Sequence, residues 1–149
     1  MIAIDLSEDG ARVIALVGGW EHVLKSRVFS TLCIGLEHYR RVPSWRKARY
    51  MRFFEKRFLR LREFIDVARV VLNPNEVDRV LRVVRPGLVV VDNKLLRLIT
   101  YEPKIPEGSP KPRYLENLMT IADNLANYFR ILLKNNPKRF KEELRRFEK

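Results

Sequence analysis

Met1-Ile2-Ala3-Ile4-Asp5-Leu6-Ser7-Glu8-Asp9-Gly10 opens the chain and decides how the rest is read. Ile2, Ile4 and Leu6 make a short apolar run bounded by the turn signal Ser7 to Gly10, which predicts a buried strand. Asp5 lies inside or at the end of that strand. A buried carboxylate without a partner costs about 3 kcal/mol or more, so it needs a cation, a metal or a capping role. The plain alternative is an acid that begins the turn toward Gly10.

Working outward, residues 11–17 (ARVIALV) predict a second strand closed by Gly18-Gly19. Residues 22–30 (HVLKSRVFS) alternate and predict a third, which gives an antiparallel meander. Leu32–Val42 is ambiguous, with a short helix as one reading. A long amphipathic helix is predicted from Ser44 to Val70, after Pro43, and a second from an N-cap at Asn75 to Val84. Leu88-Val89-Val90-Val91 is a continuous apolar run, as in a strand buried on both faces, and it stops at Asp92. Leu95–Tyr101 suits either a strand or a short helix. Glu102–Pro112 carries four prolines and reads as a loop. Tyr114–Leu133 predicts a strong helix, and a basic C-terminal helix follows over 137–149. The expected fold class is α/β: a mixed sheet with an N-terminal three-strand antiparallel meander, a buried fourth strand and flanking helices, as one domain over 1–149.

The 149 residues include 30 Lys and Arg against 18 Asp and Glu, a net charge of +12. Residues 40–62 hold ten of these cations and one acid, Glu55, so three quarters of the excess sits in one short segment. Such a segment suits a phosphate backbone, because Lys and Arg displace its condensed counterions. The patch is Arg46, Lys47, Arg49, Arg52, Lys56, Arg57 and Arg60. Its competing reading is a solvated helix face, although such faces usually mix signs. Trp45, Tyr50, Phe53, Phe54 and Phe58 interleave with the charges; their helical spacing fits a core-facing stripe better than a base-stacking one.

The single cysteine, Cys33, excludes an internal disulfide and sits among apolar neighbours, and two histidines are too few for a Cys/His zinc site. His38, beside Tyr39-Arg40-Arg41, suits a phosphate contact or a base less well than a plain surface role. No apolar run reaches the roughly 20 residues of a membrane span, and Met1–Asp5 lacks the basic start of a signal peptide. A cytoplasmic location is expected. The absence of glutamine beside abundant Arg, Lys and Glu suggests a source in a hot environment. Neither a phosphate-cradling glycine loop nor a nucleophile elbow is present.

Asp92 ends the fourth strand, where α/β sheets favour ligand sites, although an Asp-Asn turn also accounts for it. Asp123 lies mid-helix on a stripe with Glu116, Thr120 and Asn127, which either faces water or borders a site. Together Ile2-Ala3-Ile4-Asp5, the strands at 11–17 and 22–30, Leu88–Asp92 and Ile121-Ala122-Asp123-Asn124-Leu125-Ala126 resemble the ribonuclease H-like superfamily of nucleases and transposases. The resemblance implies that Asp5, Asp92 and Asp123 hold two divalent ions, Mg²⁺ or Mn²⁺, for phosphodiester cleavage in DNA or RNA. It implies a further acid on the first helix, either Glu55 or Glu37. The chain departs from that pattern in the short, proline-rich interval before the Asp123 helix. The alternatives are a non-catalytic basic nucleic-acid-binding protein and a protein-interaction module of a nucleic-acid-processing complex.

Overall fold

The computed structural model describes residues 1–149. Strands β1 (Ile2–Glu8) and β2 (Arg12–Gly18) form an antiparallel hairpin whose register pairs Ile2 with Gly18 and Glu8 with Arg12. Gly18 is required there: a Cβ would sit 2.5 Å from both the Ile2 side chain and the Met1 carbonyl. Two short helices follow, α1 (Glu21–Leu24) and α2 (Arg27–Leu32), and then α3 (Lys47–Leu61). Strand β3 (Val67–Val71) returns antiparallel to β2, and α4 (Pro74–Val84) leads to β4 (Val89–Val91). Strand β5 (Lys104–Pro106), α5 (Arg113–Asn135) and α6 (Pro137–Phe147) complete the chain. The strand order is β3-β2-β1-β4-β5, with β4 parallel to both β1 and β5.

Four expectations are corrected. Residues 22–30 are helical, not the third strand. Phe29, Leu32 and Cys33 are buried at spacings of three and four, and the Ser26 hydroxyl caps α2 by accepting from the Phe29 N–H at 3.3 Å. The third strand is instead Val67–Val71, which the Ser44–Val70 helix prediction absorbed. The helix ends in a 3₁₀ turn at Arg62–Phe64, and the β-branched run beyond Asp66 pairs with β2. The meander therefore survives with a helical insertion at residues 19–66. The proline-rich loop also contains a strand, β5, which lengthens the sheet beyond β4. The second helix starts at Pro74, with Asn73 rather than Asn75 at its cap position.

The sheet is covered on both faces. Ala3, Val13, Ala15, Val17 and Val90 face α5, α3 and α6, whereas Ile4, Ile14, Leu16, Val89 and Val91 face α4 and the turns at Leu95 and Ile99. Burial of all three β4 residues matches the continuous apolar run that predicted it. On the α5 face, Phe147 of α6 stacks on Phe58 and Tyr128 with ring centres 5.0 Å apart. No helix is long and apolar enough to cross a membrane.

Candidate active site

Side chains alternate along a strand, so Ala3, Asp5 and Ser7 all face α5. The register pairs Ile4 with Val91 and Val91 with Pro106. One step further it sets Asp5 beside Asp92, and Asp92 beside Glu107. Three carboxylates therefore form a row across adjacent strands, two of them just past the C-terminal ends of β4 and β5. Helix α5 crosses this face and brings Asp123 over the row.

Each acid is held differently. Asp92 accepts from the Leu6 N–H at 3.2 Å and from the Lys94 N–H at 2.8 Å. Asp123 accepts from the Tyr39 N–H at 2.8 Å and from the Asn127 amide at 3.4 Å, and His38 Nδ1 stands 3.8 Å away. Asp5, only 5% exposed, lies within hydrogen-bonding reach of both other aspartates. Burial, and then the charges of Asp123 and Asp92, push its carboxyl up to about 10. Burial also raises Glu107, with the Asp92 charge adding to the effect.

A polar network braces α5 against β1. Arg130, itself buried, donates from Nε to the Ser7 hydroxyl at 2.7 Å, and Ser7 donates to Asn127 Oδ1 at 2.8 Å. Asn127 in turn donates to the Asp123 backbone carbonyl at 2.8 Å, so β1 and α5 are pinned together one turn from the acids. Beside them opens a cleft of about 770 Å³. Its walls include His38, Arg40, Arg41, Asn93, Glu107 and Lys111.

As they stand, no three of these carboxylate or imidazole side chains are gathered so as to hold an ion. Their donor chemistry fits a hard divalent cation nonetheless, since every donor is a carboxylate oxygen. Like charges this close need either a proton or a cation between them, and the raised Asp5 carboxyl is the proton-bearing solution.

Glu55 does not join the acids. Its carboxylate pairs with Arg146 at 2.8 Å and Arg139 at 3.9 Å, and so fastens α3 to α6. Glu37 pairs with Arg46 at 2.9 Å on the cleft wall. The additional carboxylate beside Asp92 is Glu107. It escaped sequence reading because Lys104-Ile105-Pro106 does not look like a strand; the one signal was an apolar residue and an acid spaced as they are at Val90 and Asp92.

The basic patch divides in two. Arg46 is spent on Glu37, Lys47 on the Tyr39 carbonyl and ring, and Arg57 on the Leu32 and Ile34 carbonyls at the C-terminal end of α2. Arg49, Arg52, Lys56 and Arg60 are exposed and enter no ion pair. Of the interleaved aromatics, Tyr50, Phe54 and Phe58 are core, as their spacing suggested, and Phe53 is half-buried. Trp45 is the exception.

The crystal structure of ribonuclease H2 from Pyrococcus horikoshii OT3 is similar to this chain, with a TM-score of 0.52 and 18% sequence identity. The match covers 98% of this chain and 76% of that one. The fold is ribonuclease H-like. No protein-family model matches the sequence, and no curated protein matches it. At this identity the likeness speaks for the ribonuclease H-like fold alone. Roles for Asp5, Asp92, Glu107 and Asp123 rest on the geometry above.

Proposed function

We propose that this protein is a divalent-metal-dependent nuclease that cleaves phosphodiesters of DNA or RNA. The observation that carries the reading is the convergence of Asp5, Asp92 and Glu107, in one row across three strands, with Asp123 from α5. Asp5, Asp92 and Asp123, with Glu107 beside them, are the residues to hold Mg²⁺ or Mn²⁺. Such a cation supplies positive charge that polarises a phosphoryl oxygen and makes a water more acidic.

The chain's own residues do the rest. The Leu6 and Lys94 N–H groups fix the orientation of Asp92, and the Tyr39 N–H fixes that of Asp123. Asp5, which lacks such backbone donors, carries the proton that must leave when a cation enters. Arg40, Arg41, Lys111 and Arg113 along the cleft draw in and hold the phosphate backbone.

A second reading, a basic nucleic-acid-binding protein without chemistry, is favoured by one observation: four cations of α3 stand unpaired on the surface. One titration separates the two. Melting temperature is followed against Mn²⁺ or Mg²⁺ at fixed ionic strength for the wild type and Asp92→Asn. Saturable stabilisation of the wild type that the variant loses is expected, because a ligand of the native state stabilises by mass action. Cation-dependent cut products from labelled oligonucleotides should follow the same pattern. Equal responses from both proteins, with no cut products, would leave the non-catalytic reading in place.

A further inference from the structure

We infer that the outer face of α3 is a single-stranded nucleic-acid track, headed by Trp45 as a base-stacking platform and leading into the cleft. Resting on the cleft as a phosphodiester site, this inference names the form in which the substrate arrives. Arg49, Arg52, Lys56 and Arg60 recur at spacings of three, four and four, so they share one stripe of the helix. Glu55, the one acid of α3, is turned away to α6 and does not neutralise them. A row of four exposed cations with no internal partner is complementary to a row of phosphates.

Trp45 extends the same line. It precedes Arg49 by four residues, in the 3₁₀ turn Ser44–Arg46 that runs into the helix. It is 81% exposed, whereas Tyr50, Phe54 and Phe58 on the inner face are buried. An indole held in water at the head of a cationic stripe is built to stack on a base.

The line also has a route to the acids. A shallow depression of about 290 Å³ is lined by Arg46, Arg49, Tyr50, Phe53 and Gly35. Gly35 is equally part of the cleft that holds Glu107 and His38. Its φ of +90° and the Phe53 ring 3.3 Å from a would-be Cβ make this shared position glycine-specific.

The occupant follows from geometry. Neighbouring positions on the stripe rise by about 4.5–6 Å, which matches the repeat of phosphates along an extended strand. Trp45 stands at the head of the phosphate line. Backbone and base must therefore reach one line together, which a strand with unpaired bases allows and a paired duplex, with its bases turned inward, does not.

The test uses the wild-type protein in EDTA, so that binding is read without cleavage. Labelled oligo(dT), oligo(U) and a mixed-sequence duplex are titrated at several salt concentrations. Trp45 emission is followed separately in a Trp20→Phe background, because Trp20 is also exposed. Either single strand should bind more tightly than the duplex and quench Trp45. Trp45→Ala should weaken that binding by about tenfold or more. The four phosphate contacts of the stripe contribute about −3 to the slope of log K against log salt, beyond what the cleft cations add. The combined variant Arg49→Gln, Arg52→Gln, Lys56→Gln, Arg60→Gln should remove most of that contribution. Duplex binding as tight as single-strand binding with Trp45 emission unchanged overturns the inference. So does an undiminished slope in the combined variant, or equally tight binding of poly-glutamate, which would mark a site for an acidic protein. None of these outcomes touches the cation titration, and loss of cleavage alone leaves the track standing.

Discussion

On the proposed function, Asp5 sets the balance between stability and chemistry at this site. Its ordinary value is 3.8, and in the folded chain it lies at about 10. Between those limits the folded state holds a proton that the unfolded state has released. Stability from this group is therefore complete below about pH 4 and is lost as pH rises toward 10. Asp5→Asn removes the penalty while keeping the shape. In chelator at pH 8 the variant should melt about 3 °C or more above the wild type, and near pH 4 the two should coincide. Added Mg²⁺ should reverse the order by stabilising the wild type alone. A variant no more stable than the wild type at pH 8 would mean that Asp5 carries no such strain.

Glu107 and Glu55 make a second comparison at this scale. Glu107 faces Asp92 and is raised by that charge, whereas Glu55 is spent on Arg146 and Arg139. Glu107→Gln should lower cleavage about 10- to 100-fold, the usual cost of losing an outer partner of a metal site, with the melting temperature held or raised, because burial and the Asp92 charge disfavour its ionised form. Glu55→Gln should leave cleavage unchanged and cost up to about 1 kcal/mol of stability. The opposite pattern in a steady-state cleavage assay would return the missing acid to α3.

At the scale of elements, legibility in the sequence tracked what each element depends on. Strands β1, β2 and β4 and helices α4 and α5 declared themselves, because each buries its own apolar pattern. Strand β3 did not: Val67–Val71 follows fifteen helical residues, and only pairing with β2 makes it a strand. Strand β5 is three residues beside β4 in a proline-rich loop, so its state is set by its neighbour rather than by propensity. The same division governs the site. Asp5, Asp92 and Asp123 stand out as acids in apolar elements, whereas Glu107 becomes meaningful only once β5 is placed. Helix α6 shows how far local pattern reaches: the sequence foretold a basic helix, and the structure adds its anchor, Phe147, fully buried against Phe58, Tyr128 and Phe129. Phe147→Ala should cost about 3–5 kcal/mol, read as a shifted midpoint in urea. A loss under 1 kcal/mol would show that α6 is only loosely attached.

Across the whole molecule, the +12 charge is uneven in a way that separates attraction from docking. The cations of α3 are ordered along one line that leads to the cleft. Those of α6, such as Lys138, Lys141 and Arg145, are exposed but line no part of the cleft. Both sets fall at helical spacing and contribute to the long-range field, but only the first adjoins the cleft. Fields from exposed charges act mainly on the encounter rate and fade within a Debye length of about 10 Å at 0.1 M salt. Lys138→Gln, Lys141→Gln and Arg145→Gln together should therefore slow association with an oligonucleotide at low salt, leave dissociation unchanged, and lose their effect near 0.3 M. The α3 variant should instead speed dissociation at every salt concentration. Stopped-flow traces for the two variants decide the matter: if the α6 variant raises the dissociation rate as strongly as the α3 variant does, the nucleic acid wraps the molecule rather than following one face of it.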